Sequence, residues 1–241
     1  MEQANTPVAG MLCKAASASQ LPVTEAELTL INKQALNPLT AEEVFTFKIA
    51  ACDNQIDREF ERFTEDTLVG LAGLFLGKTV LQDHDWSVKK QTARIYAADV
   101  AVEGKLHQLV LRCYMLRTAG NEAMIAAIEG GIVREVSVGC TVKRCVCSIC
   151  GEDKRVTYCQ HRPGEEYDGQ LCHVDLEEAA DAYELSLVAV PAQRNAGTRK
   201  VYGGEENKRE PKPDGQDAPL TTLSLRLRAA VQYAKNKKEG T

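Results

Sequence analysis

Residues 133–142 read VREVSVGCTV, and apolar and polar side chains alternate along this stretch. Alternation with a period of two is typical of a β-strand that buries one face. Val136, Val138, Cys140 and Val142 share one predicted face, and Glu135, Ser137, Gly139 and Thr141 share the other. A serine in a strand is often only a tolerated small polar residue. Here Gly139 leaves space beside the hydroxyl of Ser137, which makes Ser137 a candidate nucleophile.

The other segments predict more strands than helices. Strands are expected over residues 44–51, 79–81, 93–102, 106–115 and 183–190. Helices are expected after Thr24, which begins a T-x-x-E capping box, after Thr64, and over residues 120–129. We therefore predict a mainly β fold with flanking helices (α+β), in which helices pack outside a β-barrel or sandwich-like core.

The composition limits the classes of function. A chain of 241 residues with 44% hydrophobic residues is long enough for one domain with a sizeable core. The net charge of −5 argues against binding to nucleic acid or to an anionic membrane surface. Neither a membrane-spanning apolar run nor a signal peptide is apparent in the sequence, so a cytosolic protein is expected.

Changes in composition divide the chain. Residues 1–40 are predicted to form an N-terminal extension with one short helix, followed by the main domain over residues 41–197. Residues 144–173 interrupt that domain with a cysteine-rich insertion. Residues 198–219 are rich in glycine, proline and charge, which predicts a disordered linker. Apolar residues at helical spacing within residues 220–241 predict an amphipathic C-terminal helix.

His84 and Glu184 are candidates for acid–base chemistry. His84 lies in LQDHD, after a predicted strand, and its simplest interpretation is a solvated loop residue. Asp83 and Asp85 are its neighbours in sequence, but adjacent residues of an extended segment point in opposite directions. Glu184 lies in an otherwise apolar run and needs a partner if it is buried. That partner is either an arginine, in an ion pair, or the imidazole of His84.

The cysteine-rich insertion predicts a metal site. Cys147 and Cys150 form a C-x-x-C-G knuckle, and Cys159 with His161 supplies a second pair. Thiolate and imidazole ligands in short paired loops suit one structural Zn²⁺ ion with tetrahedral geometry. Cys172 is a further candidate, and the sequence leaves the fourth ligand open between His161 and Cys172. The alternatives are free cysteines or a redox C-x-x-C motif, which normally begins a helix in a βαβ setting.

The chain resembles the prohead proteases of tailed phages, which are distantly similar to the herpesvirus assembly protease, assemblin. Four segments carry the resemblance over about residues 40–197: DNQIDREFERF, LQDHDWS, EVSVG and YELSLVAVPAQRNAG. The CSICG insertion also resembles that of some family members. The resemblance implies an assemblin-like β-barrel core wrapped by helices, a protease domain over residues 41–197, and serine endopeptidase activity.

The resemblance also implies roles for residues. His84 would be the general base and Ser137 the nucleophile, while Glu184 stands at the position of a third member that varies in the wider group. Arg194, in PAQRN, is the candidate for oxyanion stabilisation. The expected substrates are phage scaffold and major capsid proteins, and the chain itself, inside the assembling prohead in the host cytoplasm.

The sequence is also compatible with two other functions. One is a non-enzymatic head-assembly factor with the same fold, in which the zinc knuckle is a docking module. The other is a zinc-ribbon nucleic-acid binder, which the acidic balance of the chain disfavours. The sequence leaves the oligomeric state open, including a homodimer.

Overall fold

The computed structural model describes residues 23–191, 193 and 196–199. These residues form three α-helices and ten β-strands. The helices are α1 (Glu25–Asn32), α2 (Glu65–Phe75) and α3 (Glu122–Glu129). The strands are β1 (Val44–Asp53), β2 (Glu61–Phe63), β3 (Thr79–Gln82), β4 (Ala93–Glu103), β5 (Leu106–Leu116), β6 (Val136–Cys147), β7 (Glu166–Tyr167), β8 (Gln170–Leu171), β9 (Val174–Leu187) and β10 (Gly197–Arg199). The mainly β, α+β prediction is confirmed.

Two helix starts follow the sequence signals. The Thr24 hydroxyl accepts the backbone N–H of Glu27 at 3.2 Å, and the Glu27 carboxylate accepts the backbone N–H of Thr24 at 3.1 Å. This reciprocal capping box satisfies donors that the first turn of α1 leaves free. Thr64 accepts the backbone N–H of Thr67 at 3.4 Å and begins α2 in the same way. None of the helices in the described part of the chain is long and apolar enough to cross a membrane.

Eight strands form one mixed sheet, and β9 is its hub. Strand β9 pairs antiparallel with β6 along one edge. Along its other edge it pairs in parallel with β2 near its start and with β3 near its end. From β3 the sheet continues through β4, β5 and β1 to β10. Strands β6 and β9 carry two of the candidate site residues, and β3 leads directly to the third, so the hub positions the site.

The sheet is open in its regular strand pairing. The barrel that the resemblance implies is therefore not confirmed: the eight strands of the described residues form an open mixed sheet. The two ends do approach each other, since an isolated bridge joins Glu135, just before β6, to Gly197 in β10. A side chain at residue 197 would collide with the carbonyl of Arg134, which is 2.8 Å from an ideal Cβ there.

Helices cover both faces of the sheet. On one face, Leu68, Leu71 and Phe75 of α2 are fully buried in the main core. On the other, Ile31 of α1 is buried in a second cluster with residues of β1, β4 and β5, among them Tyr96. Helix α1, predicted within the N-terminal extension, thus packs directly on the domain.

Several element boundaries differ from the sequence prediction. Strand β9 begins at Val174 and ends at Leu187, so it starts earlier and stops sooner than the predicted strand over residues 183–190. Strand β6 continues through Cys147, so the cysteine-rich segment begins inside a strand. The short strands β2 and β10 were not predicted. The predicted linker over residues 198–219 lies almost wholly outside the described residues, and the helix over 220–241 lies wholly outside them.

Candidate functional site

His84 lies in a tight turn after β3. Its φ is 55° and that of Asp83 is 54°, so two consecutive non-glycine residues adopt the left-handed conformation. This conformation is unfavourable for residues with a side chain and persists where other contacts hold it. The backbone N–H of Asp83 donates to the carbonyl of Leu187 at 2.9 Å. The backbone N–H of His84 donates to the hydroxyl of Ser186 at 3.0 Å.

This turn directs the imidazole of His84 to Glu184. Nδ1 of His84 lies 2.8 Å from Oε1 of Glu184. The Glu184 side chain is 1% exposed, while that of His84 is 40% exposed. A carboxylate behind Nδ1 of a partly exposed imidazole is the arrangement that orients a general base. Of the two partners that the sequence allowed for Glu184, an arginine or His84, the structure shows His84.

Ser186 completes the surroundings of Glu184. Its hydroxyl donates to Oε2 of Glu184 at 2.6 Å, and Ser186 is fully buried. Both carboxylate oxygens of Glu184 therefore have a hydrogen-bond partner. The sequence analysis did not identify Ser186 as a site residue. The available signal was its position two residues after Glu184 in a strand, which places both side chains on the same face of the sheet.

Ser137 lies on the same face as this pair. In the β6–β9 ladder Ser137 is directly opposite Ser186, and Gly139 is directly opposite Glu184. Directly opposed residues in an antiparallel ladder project to the same face with Cβ atoms about 5 Å apart. The fold thus brings Ser137, His84 and Glu184 to one region of the sheet. Ser137 is only 7% exposed, so the open access expected around its hydroxyl is not observed.

The role expected for Gly139 is different in the structure. The sequence analysis took the missing side chain as space for a substrate beside Ser137. In the structure the Glu184 carboxyl group fills this space, since an ideal Cβ at residue 139 would overlap Oε1 and lie 3.1 Å from Cδ. Gly139 thus makes room for the partner of His84.

Two aromatic residues flank the site. Trp86 and Tyr183 pack with ring centroids 5.8 Å apart. In the β6–β9 ladder, Gly139 is opposite Glu184, but Cys140 is opposite Ala182, which leaves Tyr183 as the extra residue of a β-bulge. Such a bulge interrupts the simple alternation of side chains at Tyr183 and Glu184. Tyr183 also approaches Thr141, with 3.3 Å between the two hydroxyl oxygens. Trp86, two residues after His84 in the sequence, is 63% exposed.

A second cluster of reactive side chains lies in the insertion. One ligand atom from each of Cys147, Cys150, Cys159 and His161 lies within 4.8 Å of all the others. The sulfur atoms of Cys150 and Cys159 are 3.3 Å apart, and Nδ1 of His161 is 3.3 Å from Sγ of Cys159. Ligands of one tetrahedral Zn²⁺ are about 3.5–3.8 Å apart, given Zn–S bonds of about 2.3 Å. The four residues therefore fit a single structural metal ion.

Backbone hydrogen bonds favour the thiolate form of Cys147. Burial alone would raise the pKa of the Cys147 thiol, but hydrogen bonds from the backbone of Cys150 and Ile149 outweigh it and lower that pKa to about 6. The turn closes through Gly151, whose φ is 76° and whose N–H donates to the carbonyl of Cys147 at 2.8 Å. A left-handed residue here favours glycine. Cys147 is thus predisposed to the thiolate form that binds metals.

Cys172 is not part of the four-residue cluster. It is fully buried, and burial followed by the charge of the nearby Cys147 raises the pKa of its thiol to about 11. Of the two candidates that the sequence left open, His161 belongs to the cluster and Cys172 does not. The ring of His161 is held edge-on to Tyr167, with centroids 4.6 Å apart.

The remaining predicted site residue, Arg194, lies outside the described residues. Comparisons with protein-family models, with curated proteins and with solved structures found no match for this chain. Its function is therefore inferred from the geometry of its own residues.

Proposed function

We propose that the protein is a serine endopeptidase in which Ser137 is the nucleophile, His84 the general base and Glu184 the residue that orients the base. The observation that carries this proposal is the 2.8 Å contact between His84 Nδ1 and the buried Glu184 carboxylate, on the face of the sheet that also carries Ser137. A histidine with a fixed carboxylate partner beside a serine is the combination required for nucleophilic acyl transfer.

In the proposed mechanism each of these residues has one role. With Nδ1 of His84 donating to Glu184, the lone pair of Nε2 is available to take the proton of the Ser137 hydroxyl. The serine oxygen then attacks the peptide carbonyl, and the leaving amine receives that proton as the acyl-enzyme forms. Water activated by His84 releases the acyl group. Backbone amides or Arg194 would stabilise the oxyanion during both steps.

The proposed substrates are phage scaffold and major capsid proteins, and the chain itself. Two observations support an assemblin-like enzyme. The His84, Ser137 and Glu184 segments have the order that the resemblance to prohead proteases implies, and one isolated bridge between Glu135 and Gly197 brings the two ends of the open sheet close to each other. Self-cleavage is expected in residues 198–219, because a linker of that composition is open to a protease active site.

We further propose that Zn²⁺ is the metal held by Cys147, Cys150, Cys159 and His161, and that its role is structural. Three thiolates and one imidazole are ligands that zinc favours, and four protein ligands leave no open position for a substrate. The ion would fix the chain between β6 and β9, two strands that carry site residues.

A test of the protease proposal needs no known substrate. The full chain is treated with a fluorophosphonate probe and analysed by intact-protein and peptide mass spectrometry, with Ser137→Ala as the matched control. We expect covalent labelling at Ser137 in the wild type and no labelling in the variant. Prolonged incubation should also release fragments cut within residues 198–219 from the wild type alone. Equal labelling and equal fragmentation of both proteins would refute the proposal.

One observation favours a second function. Ser137 is only 7% exposed, whereas Cys150 of the metal cluster is exposed. A non-enzymatic head-assembly factor that docks to capsid proteins through the metal-bound loop would need the cluster but not the hydroxyl. Ser137→Ala and Cys150→Ser distinguish the two functions in a head-assembly assay. The protease requires Ser137, while the docking factor tolerates Ser137→Ala and fails with Cys150→Ser.

A further inference from the structure

The hydroxyl of Ser186 joins the backbone of His84 to the carboxylate that holds the His84 side chain. It accepts the backbone N–H of His84 at 3.0 Å and lies 2.6 Å from Oε2 of Glu184. Oε1 of the same carboxylate lies 2.8 Å from Nδ1 of His84. The three residues thus form a closed ring of hydrogen bonds that begins and ends at His84.

If Glu184 is ionised, the direction of each bond in this ring follows from the chemistry of its donors and acceptors. The backbone N–H of His84 can only donate, so it occupies a lone pair of the Ser186 oxygen. The single hydroxyl proton of Ser186 is then directed to Oε2 of Glu184, because an ionised carboxylate can only accept. Oε1 accepts in turn from Nδ1–H of His84. This pattern selects the tautomer in which Nε2 carries the lone pair.

Because two of its members are buried, water cannot readily replace the hydrogen bonds of this ring. Ser186 is fully buried and Glu184 is 1% exposed, so water cannot easily substitute for the hydroxyl. The ring also stabilises an unfavourable backbone, since His84 has a φ of 55°. If the acceptor were lost, the backbone N–H of His84 would lose this hydrogen bond, which helps to hold the turn in its left-handed conformation.

We propose that Ser186 is a positioning residue of the site: it fixes the rotamer of the Glu184 carboxylate and the backbone of His84 together, and so determines which nitrogen of the imidazole can accept a proton. The proposal rests on the proposed function, in which His84 is the general base. Ser186 itself is fully buried, so its proposed effect is exerted through Glu184 and His84.

The test compares three variants of the full chain. Ser186→Ala removes the hydroxyl and Ser186→Thr retains it. Ser87→Ala removes a hydroxyl from the loop that carries His84, where the Ser87 hydroxyl accepts the backbone N–H of Lys89 at 3.3 Å. The chain has only 4 histidines, so the Nδ1 proton of His84 can be assigned by NMR after histidine labelling, and its exchange with water measured. Cleavage or probe labelling gives the reaction rate.

We expect Ser186→Ala to lose the protected Nδ1 proton signal of His84 and to reduce kcat about 100-fold with little change in KM, as misplacement of a catalytic group does. Ser186→Thr should restore both properties, and Ser87→Ala should leave both unchanged. A wild-type Nδ1 signal with wild-type exchange in Ser186→Ala would overturn the proposal. So would a Ser186→Thr variant that folds but behaves like Ser186→Ala.

The design separates this proposal from the proposed function. If no form of the protein shows activity, the protease assignment fails, but the Nδ1 signal still decides whether Ser186 positions His84. Should Ser186→Ala fail to fold, as judged by circular dichroism, Ser186→Cys provides a weak donor of similar size for the same measurements. A wild-type Nδ1 signal in Ser186→Cys would count against the proposal, and a weakened signal would support it.

Discussion

Gly139 lies directly opposite Glu184 in the β6–β9 ladder, and the carboxyl group of Glu184 occupies the space that a side chain at residue 139 would need. An ideal Cβ there would overlap Oε1 and lie 3.1 Å from Cδ and 3.2 Å from Cγ. The contact between Glu184 and His84 therefore depends on the absence of one methyl group on the neighbouring strand.

Gly139→Ala should displace the Glu184 carboxylate from His84 while leaving the fold intact. The atoms that collide with the new methyl group belong to a side chain, so the carboxylate can rotate away without movement of the backbone. We expect a stability loss of about 1–3 kcal/mol, typical of overpacking, and a reduction of the reaction rate of about 100-fold. Thermal unfolding and the NMR signal of the His84 Nδ1 proton would measure the two effects.

Gly73→Ala is the matched control for this substitution. Gly73 lies in α2, and a Cβ there has no neighbour within 4 Å. Alanine in a helix interior is favoured over glycine by about 0.5–1 kcal/mol, so this variant should be slightly stabilised and fully active. Full activity in Gly139→Ala would show that the position of the Glu184 carboxylate is unimportant.

Glu184→Gln should retain the fold but lose activity. The Ser186 hydroxyl would bond the amide oxygen of the new side chain, which leaves the amide N–H₂ group facing Nδ1 of His84. Nδ1 would then accept a hydrogen bond and Nε2 would carry the proton, so the imidazole could not act as a base. We expect a reduction of kcat of about 10³–10⁴-fold, as for the wrong tautomer in serine proteases.

Histidine NMR measures this change directly, because the two tautomers of a neutral imidazole give different nitrogen shifts. His107, which lies 3.4 Å from Glu65 and away from the β6–β9 site, is an internal reference and should keep its wild-type signals. Wild-type cleavage by a folded Glu184→Gln variant would exclude a role for the carboxylate in orienting the base.

Tyr96→Phe should weaken the docking of α1. The Tyr96 hydroxyl donates to Oε1 of Glu27 at 2.8 Å, which ties the first turn of α1 to β4. Its removal should cost about 1 kcal/mol of the free energy of unfolding at neutral pH. Burial alone would raise the pKa of Glu27, but hydrogen bonds from the backbone of Thr24 and from Tyr96 lower that pKa overall. A carboxyl group with a lowered pKa stabilises the fold at pH values above its unfolded-state pKa. This contribution is lost as the pH falls and the carboxylate becomes protonated.

The difference between wild type and Tyr96→Phe should therefore be largest near pH 7 and shrink under acidic conditions, when Glu27 becomes protonated. Denaturant unfolding at several pH values measures it. Tyr114→Phe, at a ring packed edge-on against Tyr96 with 6.4 Å between centroids, is the control for loss of a hydroxyl in the same cluster. A pH-independent difference would mean that ionisation of Glu27 does not strengthen its contact with Tyr96.

Local signals in the sequence predicted much of this fold. The capping box at Thr24, the N-cap at Thr64 and the turn after Glu103 act within a few residues, and the elements that they predict were found. The ends of β9 could not be predicted, because its first half is polar on the exposed face and is held by pairing with β6 and β2. Such long-range pairing leaves no local pattern.

In the candidate site, too, local signals could be read from the sequence but long-range contacts could not. His84, Ser137 and Glu184 could be selected by residue type and context, but their proximity depends on β9 pairing with β3 on one side and with β6 on the other. Ser186 was missed because its position two residues after Glu184 indicates only a shared face, and its hydrogen bonds to His84 and Glu184 depend on the fold. The cysteine spacing identified the metal cluster, whereas the choice of His161 over Cys172 required coordinates.

Removal of one thiol should abolish metal binding, and acid should release the metal. Purified wild-type protein is expected to contain about one Zn²⁺ per chain, and Cys147→Ser to contain almost none. Hydrogen bonds from the backbone of Cys150 and Ile149 prevail over burial and lower the pKa of the Cys147 thiol to about 6. A lowered thiol pKa favours the thiolate form that binds the metal, and protons compete with the metal for the thiolates and the imidazole. Metal retention, and the stability that it provides, should therefore decline as the pH falls.

Cys172→Ser is the control that distinguishes the two candidate ligand sets. Cys172 is buried beside the cluster, so its substitution lowers thermal stability, but the four ligands Cys147, Cys150, Cys159 and His161 remain and the metal should be retained. His161→Ala, by contrast, should lower metal affinity sharply, because it removes one of the four. Metal content by mass spectrometry, with melting temperature measured before and after chelation, separates the cases. Loss of metal in Cys172→Ser together with full retention in His161→Ala would reassign the fourth ligand to Cys172.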